Sequence, residues 1–312
     1  MAGASKVRDT WPASGACYLC GACGPLCRSH IIPKFVGEWL KASNATGRLR
    51  DSAAPNRLIE DLPWRYMLCN DCEERFSRVE AETRMRIFVP LHEHEQVAFR
   101  YGPAFVQFAV SVLWRCLVFL RVEGRLGKLG DLPESAAAER VWRGFLLGQG
   151  RTVAPHDVHA FHMDAPPPQP HLQGLPPNLG RYMLRSVGMS ALQRDDFGYV
   201  FVKIARINIF GTVVSGSQRK LWKNSKLHAS GGSWGGVDVG TPSWVPSVFI
   251  DGAELGEAMF DGLSPQQKGK TNAKLLAAAQ ADPKSFRETG AMRALRTDLN
   301  RVGKKAFQKP FE

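Results

Sequence analysis

Seven cysteines occur in the 312 residues, and six of them form two tight groups. Cys17, Cys20, Cys23 and Cys27 make the first, Cys69 and Cys72 the second, and Cys116 stands alone in an apolar stretch. Short CxxC spacing at two distant places is the pattern of a metal site rather than of a disulfide framework. In Cys17-Tyr-Leu-Cys20-Gly21 a tight turn presents two thiolates, and the small residue after the second lets backbone amides face the sulfurs. Cys69-Asn-Asp-Cys72 offers a second pair at a helix start. Four thiolates at about 2.3 Å complete the tetrahedron of Zn²⁺ and leave no open position, so such a site is structural. Cys20-Gly-Ala-Cys23 is an equally good knuckle. Cys17 and Cys20 are preferred because they leave Cys23 to Leu26 as a turn before the next element, with Cys27 spare.

Between the two pairs lies Leu26-Cys27-Arg28-Ser29-His30-Ile31-Ile32-Pro33. One histidine ahead of two β-branched residues and a proline reads as a strand that ends at a helix start. The unperturbed imidazole pKa of about 6.5 leaves such a side chain neutral at pH 7 and able to accept a proton.

A zinc knuckle, a strand with a histidine, a hairpin and a helix opened by CxxC form the arrangement of the ββα-metal, or HNH, endonucleases. Through CYLCG, SHIIPKF and LCNDCEERFSRVE, residues 17–82 resemble the zinc-containing branch of that family. The resemblance implies a histidine that activates water and one divalent cation, Mg²⁺ or Mn²⁺, at the scissile phosphate. That histidine is His30. The family's acidic ligand just before it is here Ser29, and the Asn or His ligand after the second CxxC is here Glu73. Ser29 is a poor Mg²⁺ ligand and Glu73 a good one, so the anionic ligand is expected on the helix. Glu73, Ser77 and Glu80 share one helix face. Glu80 lies about 10 Å along the axis from Glu73, which suits a water-orienting role more than a share of the ion.

Several elements must position these groups. Lys34 to Ser43 reads as a helix, Ser43 to Pro63 as a polar loop or hairpin, Trp64 to Leu68 as a strand and Cys72 to Ile87 as a helix. Ala104 to Leu120 is apolar, but it is only 17 residues long and carries Arg115. A spanning helix wants about 20 apolar residues, so a buried core helix over Pro103 to Val122 is expected. Pro133 to Leu147 reads as another helix. Arg181 to Leu192 and Tyr199 to Val214 read as strands around the turn signal DDFG, and the chain from Ser264 onward is helical with a break at Pro283.

The net charge is +12, and +9 of it falls in residues 181–312. Such a surplus favours an anionic partner, nucleic acid or a membrane surface. The charge does not tell DNA from RNA, and DNA is the partner expected ahead of RNA. Hydrophobic residues at 44% and charged residues at 22% exclude a disordered, collagen-like or coiled-coil chain. Lys203, Arg206, Arg219, Lys220, Lys223 and Lys226 run without an acidic residue and with Trp222 and Trp234 interleaved. Basic groups hold phosphates and aromatic faces stack on bases, so these six are the expected nucleic-acid contacts, against the alternative of a solvated sheet face with core tryptophans. Arg293, Arg296, Arg301, Lys304 and Lys305 add a second candidate patch. His92 and His94 read as one strand face, and His156, His159 and His162 as solvated loop residues. No Walker loop or GxGxxG is present, and the Gly232-Ser-Trp-Gly-Gly stretch does not follow a strand–helix pattern.

The expected fold class is α+β: a zinc-stabilised ββα-metal module with packed helices, then a mixed strand-and-helix domain. The expected segments are a flexible tail (1–15), the zinc-bound module (16–98), a helical segment (99–163), a Pro-rich connector (164–178) and a basic α+β domain (179–312). The N-terminus has no apolar signal core, and reduced thiols suit a cytoplasmic protein without a membrane partner. The leading expectation is a nuclease that hydrolyses phosphodiester bonds, with a role in bacterial or phage defence or in a mobile element. A non-catalytic, zinc-dependent nucleic-acid-binding protein is the alternative, and a homo-oligomer or regulatory partner is allowed for.

Overall fold

The computed structural model describes residues 11–51, 54–164, 174–194 and 196–303, and its architecture is mixed α+β. Most of the expected tail and connector lies outside the described residues. The N-terminal part starts with a ribbon of β1 (Ser14–Ala16) and β2 (Cys23–Pro25). Cys23 to Pro25 is thus a strand, not the turn expected there. β3 (Cys27–His30) runs into α1 (Lys34–Ala42), and the polar stretch that follows holds the hairpin β4 (Leu49–Asp51) and β5 (Ala54–Ile59). β6 (Trp64–Leu68) returns antiparallel to β3 and sets His30 opposite Trp64 and Ser29 opposite Arg65. α2 (Asn70–Thr83) begins directly after it, with Cys69 extended at the N-cap. A single π turn, Arg84–Phe88, joins it to α3 (Val89–Glu93).

After β7 (Ala98–Tyr101) comes the apolar helix α4 (Pro103–Val122), which starts and stops where its sequence pattern does. It is the one described helix long and apolar enough to cross a membrane, and 83% of its most apolar window is covered by the protein itself. Each Leu, Val or Phe it buries contributes roughly 1.5–3 kcal/mol, so the helix acts as the central beam of the core.

α5 (Pro133–Leu146) packs beside α4, and the chain then enters β8 (Val158–His162). Beyond the connector lie α6 (Leu179–Arg185), β9 (Val187–Arg194), β10 (Phe197–Ile204) and β11 (Ile207–Val214). These strands form one antiparallel sheet in the order β8-β11-β10-β9. The sheet is apolar on both faces. Val200, Val202, Ile204, Ile207 and Ile209 join the core of α4 and α5, whereas Tyr199, Phe201 and Phe210 join a second core with Met183, Val245 and Phe249. Gly211 permits the first contact, because a Cβ there would meet Trp142 at 2.6 Å and Leu113 at 2.8 Å. β12 (Gly232–Gly235) pairs with β7, and α7 (Val245–Asp261), α8 (Pro265–Ala281), α9 (Pro283–Glu288) and α10 (Gly290–Val302) complete the described chain.

The structure departs from the sequence reading at three places in this half. The expected strand at Tyr199 to Val214 is a hairpin, whose turn residue Ala205 has φ 53°. No Gly, Asn or Asp marks that turn, so two buried apolar runs fuse into one in the sequence. Leu179–Arg185 is helical because the buried carboxylate of Asp298, 118 residues away, accepts from the Gly180 amide at 2.7 Å. The segment boundary at 163 crosses a continuous sheet, because β8 pairs with β11, and one core runs from Trp11 to Trp234.

A four-cysteine centre and the cleft beside it

The two cysteine pairs reach one point because β6 delivers Cys69 and α2 carries Cys72 in its first turn, next to the turn after β1. That turn closes through Gly21 N–H to the Cys17 carbonyl at 2.8 Å, and Gly21 has φ +81°, which a side chain would strain. The sulfurs of Cys17, Cys20, Cys69 and Cys72 all lie within 4.8 Å of one another. Cys20 Sγ and Cys69 Sγ are 3.7 Å apart. A tetrahedron with bonds of about 2.3 Å has edges of about 3.8 Å, so the four sulfurs fit a structural metal ion such as Zn²⁺. Cys23, exposed in β2, and Cys27 stand outside this cluster. Burial, then the neighbouring Glu73 carboxylate, holds the Cys27 thiol above its usual range.

Beside the cysteine cluster opens a cleft of about 420 Å³. His30 stands at its edge, at the end of β3, with Nε2 2.8 Å from Asp61 Oδ2. The other oxygen of Asp61 accepts from the Leu62 amide at 2.9 Å, which fixes the carboxylate. Glu73 enters from the first turn of α2. Its carboxyl is pushed above the usual range by burial, and the Ser29 hydroxyl and the Arg115 charge pull the other way.

Ser29 itself is fully buried. Its hydroxyl donates to Glu73 Oε2 at 2.8 Å and accepts from the Leu68 amide at 3.2 Å. Ser29, at the position of the family's strand ligand, therefore sits behind Glu73 and orients its carboxylate, because the pleat turns it away from His30. Glu80 also lines the cleft, but Arg115 Nη2 donates to it at 2.7 Å. Arg115 is 1% exposed and also donates to the His30 carbonyl at 2.7 Å. One buried guanidinium thus ties α4, α2 and β3 together under the cleft. Arg28, Lys34 and Trp64 form the cationic and aromatic side of the same opening.

The six expected nucleic-acid contacts do not form one surface. Lys203 is 1% exposed, and its ammonium donates to the carbonyls of Met183 and Ala205. Burial lowers its pKa to about 7. Arg206 is buried and donates to the Leu91 carbonyl and to Asp164. Both are closed to a phosphate: Lys203 points from β10 into the layer that covers the sheet, and Arg206, in the turn between β10 and β11, is held by α3 and Asp164. Arg219 and Lys226 pair with buried Asp157 at 3.0 and 2.8 Å, while Lys220 and Lys223 are exposed. Trp222 and Trp234 are core residues. In the second patch Arg293 and Arg296 are exposed, Arg301 donates to the Pro176 carbonyl, and Lys304 and Lys305 lie outside the described residues.

The histidine readings also change. His92 is half-buried on α3 rather than on a strand. His156 and His159 are buried rather than solvated, at and just before β8. Asp61 was missed by sequence reasoning, for it lies in the polar stretch before β6 without any motif. Its one local signal is its place three residues ahead of the strand partner of His30.

Comparison of the chain with protein-family models, with curated proteins and with solved structures finds no match.

Proposed function

We propose that the protein is a metal-dependent nuclease that hydrolyses phosphodiester bonds, built on a ββα-metal module that spans β3, β6 and α2. The observation that carries this reading is that the His30–Asp61 pair and the Ser29-held carboxylate of Glu73 open onto one cleft with two cationic side chains. With Nε2 facing Asp61, the imidazole keeps its proton there, and Nδ1 is the atom that takes a proton from the attacking water. Glu73 has its second oxygen available as a cation ligand. One carboxylate plus substrate phosphate is a usual Mg²⁺ or Mn²⁺ environment, so the residues present fit the ion. When bound, that ion supplies charge stabilisation at the phosphate and the leaving oxygen. Arg28 and Lys34 hold the flanking phosphates. The four cysteines hold β1, β6 and α2 in register and take no part in the reaction.

The test is a cleavage time course on plasmid, single-stranded DNA and RNA with Mg²⁺ or Mn²⁺, comparing the wild type with His30→Ala. Cleavage that the variant loses supports the nuclease. Equal cleavage by both removes His30 from the mechanism. Binding without cleavage by either zinc-loaded protein favours the non-catalytic alternative, which the hydrogen-bonded Ser29 at the acidic ligand position also favours.

A further inference from the structure

Arg28, His30, Trp64 and Tyr66 share one face of the β3–β6 ribbon. The ladder sets Arg28 opposite Tyr66 and His30 opposite Trp64, and residues two apart on a strand point the same way. The Arg28 guanidinium carbon lies 4.7 Å over the centroid of the Trp64 ring, and Tyr66 meets that ring edge-on at 5.6 Å. Of the eight tryptophans, Trp64 alone belongs to neither hydrophobic core nor to the side chains packed against them. It lines the cleft instead. Arg28 is exposed, and its side chain makes no hydrogen bond or ion pair among the described residues. The molecule therefore holds a planar cation over the face of an indole, with its donors free, on the face that carries His30.

We propose that Arg28 backed by Trp64 is a stacking site for an unpaired nucleobase, so that the cleft takes single-stranded or locally unpaired nucleic acid in preference to intact duplex. The inference rests on the nuclease reading, because it places the substrate in the same cleft. A guanidinium plane stacks on a base, and its edge still donates to a phosphate. In a duplex both faces of each base are already covered, so this contact requires a base that is unpaired or turned out of the helix. Trp64 holds the planar guanidinium of Arg28 in place before substrate arrives, which reduces the ordering lost on binding. Lys34, on the same cleft, adds attraction that does not distinguish the two forms.

The experiment measures the affinity of a fluorescein-labelled oligonucleotide, alone and annealed to its complement, for full-length zinc-loaded protein. His30→Ala is the background and divalent ions are left out, so nothing is cleaved. The single strand is expected to bind more tightly than the duplex. Trp64→Ala on that background should weaken single-strand binding by roughly tenfold and leave duplex binding unchanged. Trp64→Phe, which keeps a flat ring, should retain most of the affinity and guards against a folding defect. Arg28→Lys keeps the charge and should lose the preference. Duplex bound as tightly as the single strand, or equal loss on both forms in Trp64→Ala, would overturn the proposal. If the wild type cleaves nothing with Mg²⁺ or Mn²⁺ while the preference persists, the nuclease reading fails and the stacking site stands.

Discussion

Asp61 holds His30 through a 2.8 Å contact between Oδ2 and Nε2, although the two residues are 31 positions apart. Its second oxygen is taken by the Leu62 amide, so the carboxylate is held from both ends. On the nuclease reading, this pair fixes which imidazole nitrogen accepts the proton. Asp61→Asn should lower the cleavage rate by about 10²-fold, with zinc content and oligonucleotide affinity unchanged. Single-turnover kinetics check it, and an unchanged rate would remove Asp61 from the mechanism.

The cysteine cluster predicts one tightly held metal ion per chain. Cys72→Ser should lose that ion and the far-ultraviolet signature of the fold around β6 and α2, whereas Cys23→Ser should keep both. Metal analysis by plasma emission, with thermal unfolding in strong chelator, distinguishes the two. Retention of metal by Cys17→Ser together with its loss by Cys23→Ser would move the site to the other knuckle, Cys20 and Cys23.

Arg115 should behave as a structural charge. Removal of it alone, as Arg115→Met, leaves the Glu80 carboxylate without its partner and is expected to cost about 3 kcal/mol of unfolding free energy. The double variant Arg115→Met/Glu80→Gln should recover part of that loss, because no charge is then stranded. Urea unfolding of the single and double variants measures the coupling. A double variant no more stable than the single one would contradict the pairing.

Burial lowers the His92 pKa to about 3 and the His159 pKa to about 4. In the unfolded chain both titrate near 6.5, so between these values the unfolded state binds more protons. Stability is therefore complete above about pH 6.5 and falls as the pH drops. At pH 5 the loss is about 2 kcal/mol for each histidine. Urea midpoints at pH 7 and pH 5 should differ accordingly, and His159→Asn should flatten the difference. Equal midpoints in the wild type would show that neither imidazole is held neutral.

Lys203 and Arg206 separate charge in the sequence from charge on the surface. Lys220→Ala or Lys223→Ala should each reduce the salt slope of nucleic-acid binding by about one if those exposed lysines touch phosphates. Lys203→Met should leave the slope unchanged, since its ammonium is enclosed by Met183 and Ala205. A slope that falls in Lys203→Met would place that side chain at the surface.

By itself the sequence determined what local chemistry can encode. Two thiols on a CxxC turn can meet one ion whatever the rest of the chain does, so a four-cysteine site with Cys20, Cys69 and Cys72 was legible from spacing, while the tertiary structure placed Cys17 rather than Cys23 with them. The bounds of α4 were legible for a like reason, because an apolar run of that length between Pro103 and a polar turn has few alternatives. Glu73 in the cleft follows from its place one residue after Cys72, at the N-terminal turn of α2. Only the tertiary structure decided which residue faces His30, that Ser29 steers Glu73 from beneath, and that Lys203 and Arg206 are enclosed. Those outcomes depend on the pleat of β3, the layers on both faces of the sheet and a buried arginine from a distant helix. Each is a sum over many weak contacts between remote segments, and no single residue type or spacing announces it.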